Sequence, residues 1–197
     1  MRKFINKLFI FCFTLMLISG LALLYAEFAV SNYASIFQLK TDYFNENKKN
    51  INTLVLGSSH NKMAINPELI KSFKCANLAY GGQDIKIDSA LLKTVIKQLP
   101  KLKFVILELS YQTLEQRFNP NYHRNSLYLR AYDINLFNRS TKLIDYSIYL
   151  SNPKLYNQFL NPFVSNTPLN EFGFEKLYDD SSMPDKQVLY DIQRKKQ

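Results

Sequence analysis

The sequence contains no tryptophan and few cysteines, histidines and glycines, and these scarcities exclude several kinds of protein. Cys12 and Cys75 are the two cysteines, and since Cys12 lies within an apolar segment we expect no disulfide between them. No cysteine, histidine or acidic residues have the spacing of metal ligands, so the sequence predicts neither a metal nor another cofactor. Charged residues make up 21% and hydrophobic residues 47%, which is typical of a globular chain, and 197 residues favour one compact core.

One long apolar run lies near the N-terminus. Residues 8–26 carry no charge, and as a helix at about 1.5 Å per residue they would reach about 28 Å, close to the thickness of the bilayer's hydrocarbon core. Arg2, Lys3 and Lys7 precede this run, and Glu27 follows it. Basic residues flanking a transmembrane helix favour the cytoplasmic side. We therefore predict a cytoplasmic basic stub and a transmembrane signal anchor over residues 1–27, with the rest of the chain periplasmic or extracellular.

A cleaved signal peptide is the alternative interpretation of this run. Ala26 offers a small residue at a cleavage point, but Leu24 is a poor match to the small residue expected two positions earlier. The apolar stretch is also longer than a usual signal-peptide core. Both interpretations predict export.

The formal net charge is +9, which bears on the partners of the chain. Because the domain is expected outside the cytoplasm, nucleic acid is not an expected partner. The lipid bilayer is the expected partner of the anchor, and a basic exported domain is attracted to anionic head groups or anionic envelope polymers. A lysine-rich solvated surface without a partner is an equally good interpretation.

The pattern after the anchor predicts an α/β fold. We expect a connector over residues 28–50, a βαβαβ core over residues 51–112 and a helical or loop region over residues 113–197. Predicted strands cover residues 53–56, 75–78 and 104–109, and predicted helices cover residues 68–73, 84–99, 126–137, 140–160 and 185–196. Continuous apolar strands joined by helices predict a flavodoxin-like parallel sheet, covered on both faces. The carboxyl ends of parallel strands share one edge, where residues 57–60, 79–83 and 110–112 should meet.

A serine-containing turn at this edge is the best candidate for chemistry. Gly57-Ser58-Ser59-His60 follows the first predicted strand directly, so a serine hydroxyl would lie at the sheet's carboxyl edge with backbone N–H groups nearby. The ordered set of segments 54–60, 66–69, 77–83 and 103–110 resembles the N-terminal half of SGNH/GDSL hydrolase-like proteins. It is most similar to their membrane-anchored branch, which transfers D-alanyl groups to teichoic acids or acetyl groups to exopolysaccharides.

The resemblance implies roles for particular residues. Ser59 stands at the nucleophile position, and Gly82 or Gly81 at the position whose N–H helps to form the oxyanion hole. The family's third block supplies an asparagine after the third strand, which this chain lacks at that position, and Gln112 or Ser110 is the candidate replacement. The family's base comes from an Asp-x-x-His element that is also missing. His123, in the loop after the third strand, is then the candidate base, and the alternative is a surface histidine among asparagine and arginine residues.

His60 adjoins Ser59, and adjacent side chains in a turn seldom align as nucleophile and base. We therefore expect His60 to have a structural or substrate-binding role. A helix cap is the expected role of Asp84, and a salt bridge or turn contact that of Glu108.

Two functions follow from the resemblance. One is a membrane-anchored acyltransferase or esterase, acting on an envelope polysaccharide and supplied by a membrane acyl-donor protein. The other is a non-catalytic envelope binding or assembly protein that retains half of the fold, and the missing Asp-x-x-His element favours it. Relative to the family the sheet is expected to be incomplete and the chain truncated. The exposed sheet edge would then pair with a partner, or the chain would be a fragment of a longer gene product.

Overall fold

The computed structural model of the chain describes residues 2–33, 35–115, 119, 122–157 and 169–174. The helix predicted over residues 185–196 lies outside the described residues.

The first helix, α1, extends without a break over Arg2–Tyr33. It is long and apolar enough to cross a membrane, and its most apolar stretch is not buried against the rest of the protein. Large side chains such as Phe9, Phe11 and Met16 are exposed around the helix. The predicted apolar helix near the N-terminus is therefore confirmed, and it has the form of a signal anchor or a signal sequence.

The segment that follows is helical and belongs to the core. Ala26 and Val30, near the end of α1, are buried. Helix α2 covers Ser35–Asn47 and buries Phe37 and Phe44. These apolar residues recur at helical spacing, so one face of each helix packs against the domain. The stretch expected as a connector thus also supplies part of the hydrophobic core.

Three short strands form the predicted parallel sheet. They are β1 (Thr53–Leu56), β2 (Cys75–Asn77) and β3 (Phe104–Leu107), in the order β2-β1-β3, with both neighbouring pairs parallel. The α/β class and the parallel arrangement are confirmed. The register pairs Leu56 with Leu107, so the chain leaves β1 and β3 at the same level of the carboxyl edge.

Short helices follow the first two strands. Helix α3 covers Ser59–Ala64, which the sequence pattern did not predict, and α4 covers Ile85–Val95. The predicted cap of α4 is confirmed, because the Asp84 carboxylate accepts a hydrogen bond of 2.8 Å from the N–H of Ile87. Only a single 3₁₀ turn, Pro67–Leu69, forms where a helix over residues 68–73 was expected.

The expectation that both faces of the sheet are covered is wrong for β3. Its four side chains are between 37% and 50% exposed, whereas the four side chains of β1 are buried. β3 is one of the two edge strands of the sheet, and the described part of the chain places no further strand beside it. A continuous apolar sequence such as that of β3 is typical of a strand that is buried on both faces.

The region after β3 is broken into short helices. They are α5 (Tyr111–Glu115), α6 (Asn125–Tyr132), α7 (Ile148–Ser151) and α8 (Pro153–Tyr156), with a 3₁₀ turn over Leu143–Tyr146. The long helices expected over residues 126–137 and 140–160 are therefore wrong in length. Asp133 ends α6 in a left-handed conformation with φ 56°. Ser147 caps α7 by accepting a hydrogen bond from the N–H of Leu150.

Aromatic side chains join α2, the sheet edge and α6. The rings of Phe37 and Tyr80 are stacked with centroids 3.8 Å apart, and Tyr128 meets both rings edge-on. The hydroxyls of Tyr80 and Tyr132 are hydrogen-bonded. This cluster holds the loop after β2 in place.

Candidate functional site

The candidate site lies at the carboxyl edge of the sheet, in the turn between β1 and α3. Gly57 leaves β1 with φ 132°, a conformation that favours glycine. The N–H of Tyr80 donates a 3.1 Å hydrogen bond to the carbonyl of Gly57, so the loops after β1 and β2 run side by side. The expected convergence of these two loops is therefore present.

The Glu108 carboxylate, one residue beyond β3, is the centre of this site. The N–H of Ser58 donates to its Oε2 at 2.7 Å, and the Ser58 hydroxyl lies 2.9 Å from Oε1 and 2.8 Å from Oε2. The Nδ1 atom of His60 lies 3.0 Å from Oε1 of Glu108 and 3.4 Å from the Ser58 hydroxyl. A serine, a histidine and a carboxylate are thus in mutual hydrogen-bonding range.

The surroundings of Glu108 favour its charged form. Burial acts to raise its pKa, but hydrogen bonds from the Ser58 hydroxyl and N–H, from the His60 ring and from the N–H of Asn61 outweigh burial, so the pKa is lowered. An ionised Glu108 can orient the His60 ring by accepting its Nδ1–H. The His60 side chain is 67% exposed, so it can meet a substrate from solution.

A buried polar network supports the turn from beneath. The N–H of Gly57 donates a 3.0 Å hydrogen bond to Oδ1 of Asp88, which also accepts a hydrogen bond from the Gln83 side chain. The Tyr128 hydroxyl in turn donates to Oε1 of Gln83 at 2.6 Å. Burial raises the pKa of Asp88 to about 6, although the hydrogen bonds from Gln83 and Gly57 act in the opposite direction.

Ser59, the predicted nucleophile, is the first residue of α3 and is partly buried. Within the part of the chain that the structure describes, its hydroxyl makes no hydrogen bond. The contacts with Glu108 and His60 belong instead to the neighbouring Ser58. The role assigned to Ser59 stays a prediction.

The predicted oxyanion glycines lie next to the loop after α5. The carbonyl of Gly81 accepts hydrogen bonds from the Tyr122 hydroxyl, at 2.6 Å, and from the Arg124 guanidinium. Gly82 has φ 72°, and a Cβ at this position would lie 2.9 Å from the Tyr122 hydroxyl. Tyr122 and Arg124 therefore hold the glycine pair in place, and these contacts were not predicted from the sequence.

His123, the predicted base, lines a cavity that does not include the serine turn. This cavity has a volume of about 340 Å³, and its lining includes Arg139, Asp145 and Asn152 but neither Ser58 nor Ser59. Burial, with the charge of Arg124, lowers the pKa of His123 to about 4. The structure does not bring His123 together with the serine turn.

The remaining predicted residues follow β3. Gln112 lies in α5, and its side chain is outside the described part of the protein. Ser110 precedes α5, and its carbonyl accepts a 3.2 Å hydrogen bond from the N–H of Leu114. In the described ranges, no group of three or more histidine, cysteine or acidic residues is placed to hold a metal ion.

Sequence reasoning missed the grouping of Ser58, His60 and Glu108. A signal was present, since Glu108 ends an apolar strand and both partners lie in the turn after another strand. Pairing these positions requires the register of β1 against β3, which no local pattern shows.

Comparisons with protein-family models, with curated proteins and with solved structures give no significant match to this chain.

Proposed function

We propose that this chain is a membrane-anchored acyltransferase or esterase that uses a serine at the carboxyl edge of its sheet. The observation that carries the proposal is the contact of Glu108 with both Ser58 and His60. A serine hydroxyl is a weak nucleophile until a neighbouring group takes its proton, and a base works best when a third group orients it. A serine of this turn, His60 and Glu108 would supply these parts.

For a hydroxyl that reaches Nε2 of His60, the base is His60, oriented by Glu108. When the His60 Nδ1–H donates to the ionised carboxylate, the lone pair of Nε2 is available to a hydroxyl. That hydroxyl gives its proton to the imidazole while its oxygen attacks the acyl carbonyl carbon. The alcohol that leaves takes the proton back, and water or a sugar hydroxyl then repeats the step on the acyl-enzyme. Glu108 stabilises the imidazolium throughout.

Two hydroxyls are candidates for the nucleophile. Ser58 is supported by its contact with Glu108; because its 3.4 Å contact with His60 is at Nδ1 and not at Nε2, the Glu108 carboxylate would itself take the Ser58 proton. Ser59 is supported by its position in the SGNH-like pattern, in which the amides of Gly81 and Gly82 would stabilise the oxyanion. The expected acceptor is an envelope polysaccharide, which agrees with an exported domain of net positive charge.

We also infer that α1 stays attached as an anchor. The helix continues through Ala26 and Glu27 into the core, where Val30 is buried. The Glu27 carboxylate accepts hydrogen bonds from the N–H groups of Ile148 and Tyr149. Cleavage after Ala26 would require this packed helix to open. The mass of the protein extracted from membranes tests the inference, because loss of residues 1–26 would contradict it.

A fluorophosphonate probe tests the enzymatic proposal on the full chain in detergent. We expect one serine to be labelled, with peptide mass spectrometry locating it, and we expect hydrolysis of a p-nitrophenyl ester. Ser58→Ala or Ser59→Ala, whichever removes the nucleophile, should abolish both signals. Ser140→Ala, at an exposed serine elsewhere, is the matched control. Hydrolysis at the wild-type rate by the double variant Ser58→Ala/Ser59→Ala would refute the proposal.

The role of His60 is tested separately, because Glu108 also supports the turn. His60→Gln should lower the rate of ester hydrolysis by about 100-fold or more, within the range that general bases supply. The side chain is largely exposed, so the melting temperature should stay unchanged. An unchanged rate in this variant would remove His60 from the mechanism.

The exposed edge strand β3 favours a second function, in envelope assembly. Phe104, Val105, Ile106 and Leu107 present an apolar strand at the edge of the sheet, and such edges pair readily with another strand. A photo-crosslinking residue in place of Val105 should then capture one discrete envelope partner in cells. The same substitution at exposed Leu69 is the control. A monomer that crosslinks to nothing and hydrolyses esters would exclude this alternative.

A further inference from the structure

We propose that residues 139–146, which we name the interfacial loop, lie on the outer leaflet and insert Leu143, Ile144 and Tyr146 among the lipid head groups. The proposal rests on α1 remaining in the bilayer and is independent of the chemistry at Ser58. It assigns to the domain a second membrane contact and a fixed orientation above the bilayer.

The position of the interfacial loop follows from Glu27. This residue is next to the uncharged run of residues 8–26, so it marks the outer boundary of the apolar helix. Its carboxylate accepts hydrogen bonds from the Ser147 hydroxyl at 2.7 Å and from the N–H groups of Ile148 and Tyr149 at 3.1 and 3.0 Å. The residue that follows the interfacial loop is therefore attached directly to the point where the chain leaves the membrane.

The distance from this point to the loop is short. The 3₁₀ turn Leu143–Tyr146 ends immediately before Ser147, and at about 2 Å per residue it extends only about 8 Å. The head-group region on each side of a bilayer is about 5–8 Å thick. The turn can therefore reach the lipid surface without any change in the fold.

The side chains of the turn are exposed apolar groups. Leu143 is 92% exposed, Ile144 47% and Tyr146 48%. Three such residues within one turn form a patch, unlike the single exposed leucines that are normal on a surface. Tyr25 and Phe28, near the end of the apolar helix, are also exposed. Tyrosine is enriched at membrane interfaces, where its ring is apolar and its hydroxyl is hydrated. The patch therefore has the composition of a membrane-interface surface, and the residues that follow it contact Glu27 at the end of the apolar run.

The charges of the interfacial loop also fit anionic lipids. The carboxylate of Asp145 is bound by the Arg139 guanidinium through two hydrogen bonds of 2.6 and 2.7 Å. Lys142 is exposed beside Leu143. A basic residue near an anionic membrane surface is attracted to it, and the acidic residue of the loop is already paired. A lipid surface is therefore the occupant that the chemistry of this patch favours.

The absence of tryptophan makes this proposal directly testable. Leu143→Trp introduces a single tryptophan into the full chain, which can be reconstituted in nanodiscs that contain phosphatidylglycerol. We expect blue-shifted emission and strong quenching by lipids that are brominated near the head groups. Leu69→Trp, at another exposed leucine, should emit at longer wavelength and be quenched by aqueous acrylamide instead.

The opposite result overturns the proposal. Because Leu143 is almost fully exposed, the substitution should leave the fold unchanged, and circular dichroism checks this. Bromolipid quenching of Leu143→Trp no stronger than that of Leu69→Trp would show that the interfacial loop does not touch the bilayer. Adding Lys142→Glu to Leu143→Trp should weaken the quenching in phosphatidylglycerol and have little effect in phosphatidylcholine. If Lys142→Glu changes the quenching equally in both lipids, the electrostatic part of the proposal is wrong.

Discussion

Glu108 packs against Gly57 so closely that a Cβ at position 57 would lie 2.6 Å from its Cβ and 3.0 Å from its Oε2. Gly57 therefore serves two purposes, since it adopts a φ of 132° and leaves room for the carboxylate. The same carboxylate binds the next residue, Ser58, through both its N–H and its hydroxyl. The glycine and the acid form one unit that fixes the start of α3.

Gly57→Ala should break this unit. The added methyl group clashes with Glu108, and the backbone conformation is strained for alanine, so we expect a loss of about 2–3 kcal/mol in stability. Glu108 should also move away from Ser58, which would lower any ester hydrolysis and fluorophosphonate labelling. Chemical denaturation in detergent, followed by circular dichroism, measures the loss. Gly20→Ala is the matched control, because nothing lies within 4 Å of a Cβ there.

Lys40 should make stability rise with pH. Its ammonium group is buried and donates a 2.7 Å hydrogen bond to the carbonyl of Ala79. Burial, and to a lesser degree the charge of Lys62, lowers its pKa from 10.5 to about 7. The folded state therefore binds this proton more weakly than the unfolded chain, and this residue adds up to about 1.4 kcal/mol of stability per pH unit between pH 7 and 10.

Denaturation curves of wild type and Lys40→Met over this pH range test the effect. The variant should lack the rise, so the wild type gains stability relative to it as the pH increases. Lys49→Met, at an exposed lysine, should behave like the wild type. A constant difference between wild type and Lys40→Met would contradict the expectation.

Asp88 should have the opposite effect at lower pH. Its pKa is raised from 3.8 to about 6, chiefly by burial, so the folded state binds this proton more tightly than the unfolded chain. The contribution of this group to stability is then greatest below about pH 4 and falls by up to about 1.4 kcal/mol per pH unit as the pH rises to 6. Among the described residues, Oδ2 of Asp88 is buried without a hydrogen-bond partner.

Asp88→Asn should remove this dependence while keeping an oxygen for the N–H of Gly57. The stability of wild type relative to Asp88→Asn should then fall as the pH rises from 4 to 6. Asp42→Asn, at an exposed carboxyl on α2, is the matched control. If the variant retains the full slope, the carboxyl of Asp88 is not its source.

Glu27→Ala should weaken the packing of the domain against the end of the anchor helix. The carboxylate accepts hydrogen bonds from Ser147, Ile148 and Tyr149 and pairs with Arg130 at 2.7 Å. Its loss leaves several donors unpaired, at a cost of about 2–3 kcal/mol. Amide hydrogen exchange should accelerate at residues 147–150, but little at β1. Glu46→Ala, at an exposed glutamate of α2, should cause no such change.

The sequence by itself determined the local elements. The uncharged run of residues 8–26 specifies a long apolar helix because its composition is local information. The three apolar strands and the cap at Asp84 are likewise specified by neighbours in the chain, so the parallel α/β sheet could be predicted. The lengths of the later helices could not, because Asp133 and Ser147 end or begin them through backbone conformations that depend on packing.

Only the tertiary structure decided which residues meet at the sheet edge. Ser58 and Glu108 are 50 positions apart, and the parallel register of Leu56 against Leu107 places them together. The same is true of Glu27 and Ser147, which are 120 positions apart. Such contacts depend on how elements pack and on the total free energy of the fold, and a short window of sequence carries neither. For this reason the contact of His60 with Glu108 could not be predicted from the sequence, and His123 lies in a cavity that does not include the serine turn.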